Sequence, residues 1–113
     1  MVCKVVDLEA GRPTAEVALQ RLNSAIFEAR RARIKYLKII HGYGSSGVGG
    51  KIKAEVTVAL RGKKVRNEIK AFIPGGDWSL SNADTQDILA KYPVLRRDSD
   101  LNRQNSGISI VVL

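Results

Sequence analysis

With one cysteine, one histidine, few aromatics and no long apolar run, this 113-residue sequence excludes several chemistries before any motif is read. Cys3 has no partner for an internal disulfide, which fits a reducing compartment. No His or Cys stands near it, so it is a poor zinc ligand or nucleophile and reads as a packing residue of the first strand. No stretch approaches the ~18 apolar residues of a membrane span. No charged-then-apolar leader opens the chain. The expectation is a cytoplasmic protein without a membrane partner. Only two Phe, three Tyr and one Trp are present, in no regular stacking pattern, so aromatics do not choose between DNA and RNA. The length suits a single domain spanning 1–113, and an apolar fraction of 44% excludes a mostly disordered chain.

What the chain has is positive charge. Nineteen Lys and Arg against eleven Asp and Glu give a net +8, which favours a polyanionic partner, nucleic acid above all. The charge is concentrated. Residues 30–38 hold Arg30, Arg31, Arg33, Lys35 and Lys38 with no acid. Residues 51–70 hold Lys51, Lys53, Arg61, Lys63, Lys64, Arg66 and Lys70 against Glu55 and Glu68. Each segment nets +5, so the remainder nets −2.

The β-branched run 2–8 reads as a buried strand. Thr14 offers an N-cap with Glu16 in the first turn, and Ala15, Ala18, Leu22, Ala25, Ile26 and Ala29 recur at helical spacing over about 14–33. Tyr36 to Ile40 form a second strand. Ile52, Val56, Ala59 and Leu60 predict a second helix closed by Gly62. Residues 65–73 read as a third strand and 108–113 as a fourth. The alternation of strands and helices implies parallel pairing. A segment at about 75–106 is too long for a bare loop. Ser81 with Asp84 resembles a capping box for a short helix carrying Ile88, Leu89 and Tyr92 before Pro93. Its apolar residues predict that it covers the free sheet face or a sheet edge. Asp98-x-Asp100-x-Asn102 opens like a calcium loop but has Arg103 at the glycine position and Ser109 at the twelfth, so it reads as a turn.

Ligands of α/β sheets gather beyond the carboxyl ends of parallel strands. Asp7-Leu8-Glu9 follows the first strand and His41-Gly42-Tyr43-Gly44-Ser45-Ser46-Gly47 the second. Glycines let backbone amides approach a phosphate, and the helix start beyond adds partial positive charge. As a mononucleotide P-loop the stretch fails, because Ser45 and Ile52 stand where glycine and a hydroxyl are required. Gly42-x-Gly44-x-x-Gly47 matches a bare dinucleotide pattern, but after the second strand of a chain too short for two halves. A plain connector with an incidental histidine is the blandest reading.

The order of elements, Val6-Asp7-Leu8 before an amphipathic helix, and Ile39-Ile40-His41-Gly42-Tyr43-Gly44 followed by Ser46-Gly47-Val48 together resemble the Smr (small MutS-related) domain. The resemblance spans 3–73 and 107–113. It implies a fold like the C-terminal domain of translation initiation factor three: an α/β two-layer sandwich with a four-stranded mixed sheet and two helices on one face. It also implies binding to DNA or RNA and, in several members, endonuclease cleavage. Asp7 matches the aspartate of the family's L-D-x-H motif. His41, Gly42 and Gly44 match H-G-x-G. Ser46 and Gly47 match a threonine-glycine pair after one extra residue.

Glu9 replaces the histidine of L-D-x-H. In the catalytic reading His41 is the general acid or base and Asp7 orients it, or Asp7 and Glu9 together hold Mg²⁺ with several waters. The amides of 42–47 cradle the phosphate, with Tyr43, Ser45, Lys51 and Lys53 alongside. The alternatives are a noncatalytic DNA- or RNA-binding module, and a protein-interaction domain whose basic segments are solvated helix faces.

Overall fold

The computed structural model describes residues 2–44 and 48–113. Its elements are β1 (Lys4–Asp7), α1 (Ala15–Arg31), β2 (Tyr36–Ile40), α2 (Val48–Val65), β3 (Ala71–Pro74), α3 (Ala83–Lys91) and β4 (Ile108–Val112), with 3-10 turns at Gly75–Asp77 and Pro93–Arg97. Thr14 caps α1 as expected, its hydroxyl accepting from the Val17 amide at 3.2 Å. The apolar stripe Ala15, Ala18, Leu22, Ile26 and Ala29 is buried.

Three boundaries differ from the sequence expectation. α2 runs through Gly62 to Val65, where strand was expected, and its stop signal is Asn67, held at φ +60°. The Glu68 amide reaches back to the Lys63 carbonyl at 2.8 Å and the Asn67 amide to Lys64 at 3.1 Å, closing the helix in a Schellman arrangement. The third strand accordingly begins only at Ala71. In the inserted segment the cap of α3 is Asn82, which accepts from Thr85 N at 3.1 Å, one residue past the expected Ser81.

The sheet order is β1-β2-β4-β3. β1 and β2 are parallel, with Asp7 opposite Ile40, whereas β4 is antiparallel to both neighbours. All-parallel neighbours therefore hold only for the first pair. β3 runs the same way as β2 but lies one strand away, because β4 enters between them. The result is the expected mixed sheet.

Strand alternation sends side chains to two faces. Leu37, Ile39 and Val111 join α1 and α2 in one cluster with Leu22, Val56 and Leu60. Ile73, Ile108, Ile110 and Val112 join Cys3, Trp78, Ile88, Leu89 and Leu95 on the other. The inserted segment thus adds a third layer over the face that the two core helices leave free. Its two ends close tightly: a Cβ on Gly75 would lie 1.9 Å from the Asn105 carbonyl oxygen, so only glycine fits there.

The insertion is also pinned by charge. Lys38, in the middle of β2, is buried, and its ammonium meets Asp98 at 2.8 Å and Asp100 at 2.6 Å. Asp98 accepts the Trp78 indole N–H at 3.0 Å as well. Burial works against the ammonium, but bonds to the two carboxylates outweigh it and hold its pKa above the ordinary value. The segment Asp98–Asn102 is a turn, as expected, and its carboxylates are the clamp. Lys38 is withdrawn from the basic surface to which the sequence assigned it. Burial, with Asp98 acting the same way, pushes the Cys3 thiol up to about 12, so it is an inert packing group.

Candidate nucleic-acid interface

Three segments meet at the rim formed by the carboxyl ends of β1 and β2. The Leu8 amide donates to the Ile40 carbonyl at 2.9 Å, which carries the parallel pairing one step past β1. From the other side arrives the end of the insertion. The amides of His41 and Gly42 both donate to the Gly107 carbonyl at 3.0 Å, and β4 begins at the next residue. The loops after β1 and β2 and the lead-in to β4 therefore form one unit.

His41 lies inside that unit and is 1% exposed. Its Nδ1 is 2.9 Å from the Gly42 carbonyl oxygen and its Nε2 is 2.9 Å from Ser109 Oγ. A carbonyl can only accept, so Nδ1 carries the proton and Nε2 accepts from the serine hydroxyl. Burial pushes the imidazole pKa below its ordinary value and the Lys53 charge acts the same way, against the Gly42 bond. The ring is neutral at pH 7, with both nitrogens engaged within the protein.

Asp7 sits elsewhere. Its register partner Ile40 packs on the insertion side, and strand alternation sends His41 to the helix side. Asp7 Oδ1 accepts from the Glu9 amide at 2.9 Å, an Asx turn that shapes the exit from β1. The groups that orient His41 are Gly42 and Ser109. The Glu9 carboxylate lies over Gly42, where an added Cβ would fall 2.0 Å from Oε1. The φ of +84° at Gly42 favours glycine, and a side chain there would also displace the Glu9 carboxylate. The strand-end carboxylates were expected to suit Mg²⁺. The two carboxylates have different settings, Asp7 capping a backbone amide and Glu9 laid over Gly42, and among the described residues no third His, Cys, Asp or Glu joins them.

Beyond His41 the rim is open. Tyr43 and Gly44 are exposed, and Gly44 has φ +77°. The Lys53 stem crosses Gly44, with Cδ 2.9 Å from where a Cβ would be. Lys51 is exposed two residues earlier, 3.9 Å from Glu55. Ser45, Ser46 and Gly47, the remainder of the expected phosphate cradle, lie outside the described residues.

The other cations collect at the far end of the helix layer. Arg61, Lys64 and Arg66 are exposed, as are Arg30, Arg31 and Arg33 at the end of α1. Arg66, bonded to Glu68, together with Lys63 and Arg30, holds the Glu68 carboxyl below its ordinary range. The two basic segments therefore converge in space. At about 1.5 Å per residue, the 18-residue α2 spans roughly 27 Å, with Lys51 and Lys53 near the glycine loop, Arg61, Lys63 and Lys64 at this cluster, and no cation between them.

Three residues of the rim were missed in the sequence: Gly107, Ser109 and Arg21. Ser109 left a trace, as the one polar residue in the buried run Ile108–Val112. Arg21 Nη1 donates to the Ala10 carbonyl at 2.6 Å and braces the β1–α1 connection from α1. Helical spacing gave no sign of that.

The model of the Smr domain family matches residues 7–77. Among solved structures, the Smr domain of Thermus thermophilus MutS2 is similar, with 22% identity and a TM-score of 0.60 over 97% of this chain and 96% of that one. That likeness speaks for the fold: an α+β arrangement with a four-stranded mixed sheet and three helices. No curated protein matches the chain.

Proposed function

The chain belongs to the Smr domain family, a nucleic-acid-binding and endonuclease-type family, and from that premise we propose that it grips the backbone of DNA or RNA without cutting it. The observation that carries the second half is His41. A general acid or base must reach the proton it moves. The sole imidazole is buried, and its nitrogens serve Gly42 and Ser109, so its work is to hold the loop. Glu9 supports the same reading. It stands where the family has histidine, and an ionised carboxylate can neither donate to a phosphodiester oxygen nor attract a phosphate. Grip comes from Lys51 and Lys53 beside the loop and from the cations of α2 and the α1 end.

The test is a salt series of binding to labelled single-stranded, duplex and branched DNA and to structured RNA, run beside a nicking assay with and without Mg²⁺. Affinity should fall steeply with salt through counterion release, and Lys51→Glu with Lys53→Glu should weaken all substrates alike. No nicking is expected in the parent. Nicking lost in His41→Ala would overturn the noncatalytic reading. A flat salt response with unchanged affinity in the double variant would overturn binding.

A further inference from the structure

The proposed interface contains one aromatic ring with an unusual setting. Tyr43 is 70% exposed, yet its ring rests on backbone. A Cβ on Gly107 would lie 3.2 Å from Tyr43 Cε1 and 3.3 Å from Cζ, so the ring edge lies close over the bare glycine. Gly107 is itself anchored, its carbonyl taking the His41 and Gly42 amides and its amide donating to Asn105 Oδ1 at 3.1 Å. Glycines with positive φ stand on both sides of Tyr43. One side of the ring is therefore held and the rest is open.

The other aromatics are used differently. Trp78 is buried and bonded to Asp98, Tyr36 meets Tyr92 edge-on at 6.0 Å, and Phe72 packs against the helix-side core. Phe27 is exposed but lies under the Arg31 guanidinium, 5.7 Å from its centroid, toward the far end of α1. Tyr43 is the ring left free beside the glycine loop and the Lys53 stem.

An exposed aromatic surface costs free energy in water, and holding it still costs entropy. Both costs are offset if the ring meets a flat apolar partner. Duplex bases are already stacked and present only their edges, whereas an unpaired base offers its whole face. We infer that Tyr43 is a stacking platform for an unpaired base, and that the ligand is single-stranded nucleic acid or a duplex with unpaired nucleotides. This rests on the nucleic-acid reading above and adds the strandedness of the ligand. The backbone enters over Gly44 and Lys53, and the base turns onto the ring.

Fluorescence anisotropy with a labelled single-stranded oligonucleotide and its blunt duplex tests the inference. Stacking contributes about 1–3 kcal/mol per base, so Tyr43→Ala should weaken single-strand binding by roughly 5- to 150-fold. Duplex binding should change less than about two-fold, and Tyr43→Phe should retain single-strand affinity, because the platform needs the ring and not the hydroxyl. An abasic strand of equal length should bind parent and Tyr43→Ala equally. Equal losses on both ligands, or none on either, would overturn the stacking role and leave backbone binding standing. A parent that binds neither ligand would overturn both readings together.

Discussion

The two faces of the sheet are covered by different physics. On one, α1 and α2 lay long apolar stripes on Leu37, Ile39 and Val111, and the contact is oil against oil. On the other, a segment with one nine-residue helix covers Ile73, Ile108 and Ile110, and in its midst lies the ion triad of Lys38, Asp98 and Asp100. A helix that short is marginal alone. Apolar contact gives it cover but no unique path, and charged groups with one satisfied geometry supply that path. Long regular elements are placed by periodicity. A short irregular one is placed by a polar clamp.

The comparison breaks most visibly at Lys38. Lys38→Ala leaves the buried Asp98 and the half-buried Asp100 without their counter-charge and should destabilise the fold by about 3 kcal/mol in urea unfolding. Lys38→Met combined with Asp98→Asn and Asp100→Asn removes the charges together and should recover most of that loss. If the triple variant is as unstable as the single one, the clamp is not the origin of the effect.

Acid should then separate the two faces. Asp100 is held below its ordinary 3.8 by its bond to Lys38, so its contribution is present above that pH and lost as pH falls through its folded value. His41, on the helix side, is held below its ordinary 6.5 by burial. The unfolded chain takes up that proton first, so stability erodes as pH drops below about 6.5. Thermal melts should decline in two stages. His41→Gln should remove the upper stage, and Asp100→Asn the lower. A single decline near pH 4 in the parent would show that His41 is not held neutral.

The smallest effect belongs to the regular side. Thr14→Ala removes one capping bond from a helix whose whole stripe is packed, and should cost about 1 kcal/mol. A loss as large as that at Lys38 would mean that α1 depends on local signals more than on its packing.

The same contrast explains what could be read in advance. The stripe of α1, the cap at Thr14 and the run Tyr36–Ile40 are local patterns, and they were legible. So were the positive-φ glycines at 42 and 44, because their spacing is contiguous. Lys38 was not: counted as surface charge, it is buried only because carboxylates some sixty residues later reach it. Nor was the internal engagement of His41, since its partner Ser109 arrives from β4. The end of α2 was misjudged because glycine at 62 is a stronger stop signal than asparagine at 67, yet glycine is tolerated within a helix held by tertiary contacts. Asp7 and His41 share a rim but point to opposite faces, and only the register shows that.

The position of β4 has a consequence for how the protein is made. Of these four strands, the last to leave a ribosome is not an edge but the piece between β2 and β3. Until residues 108–112 emerge, β3 has no strand to pair with, and β2 can hold only β1. The first half of the chain can gather its helices early, while two strand edges wait with unpaired amides and carbonyls. Closing the sheet needs contacts far apart in sequence, the slow kind in folding. During that interval the open edge of β2 is the place where another nascent copy would add in place of β4.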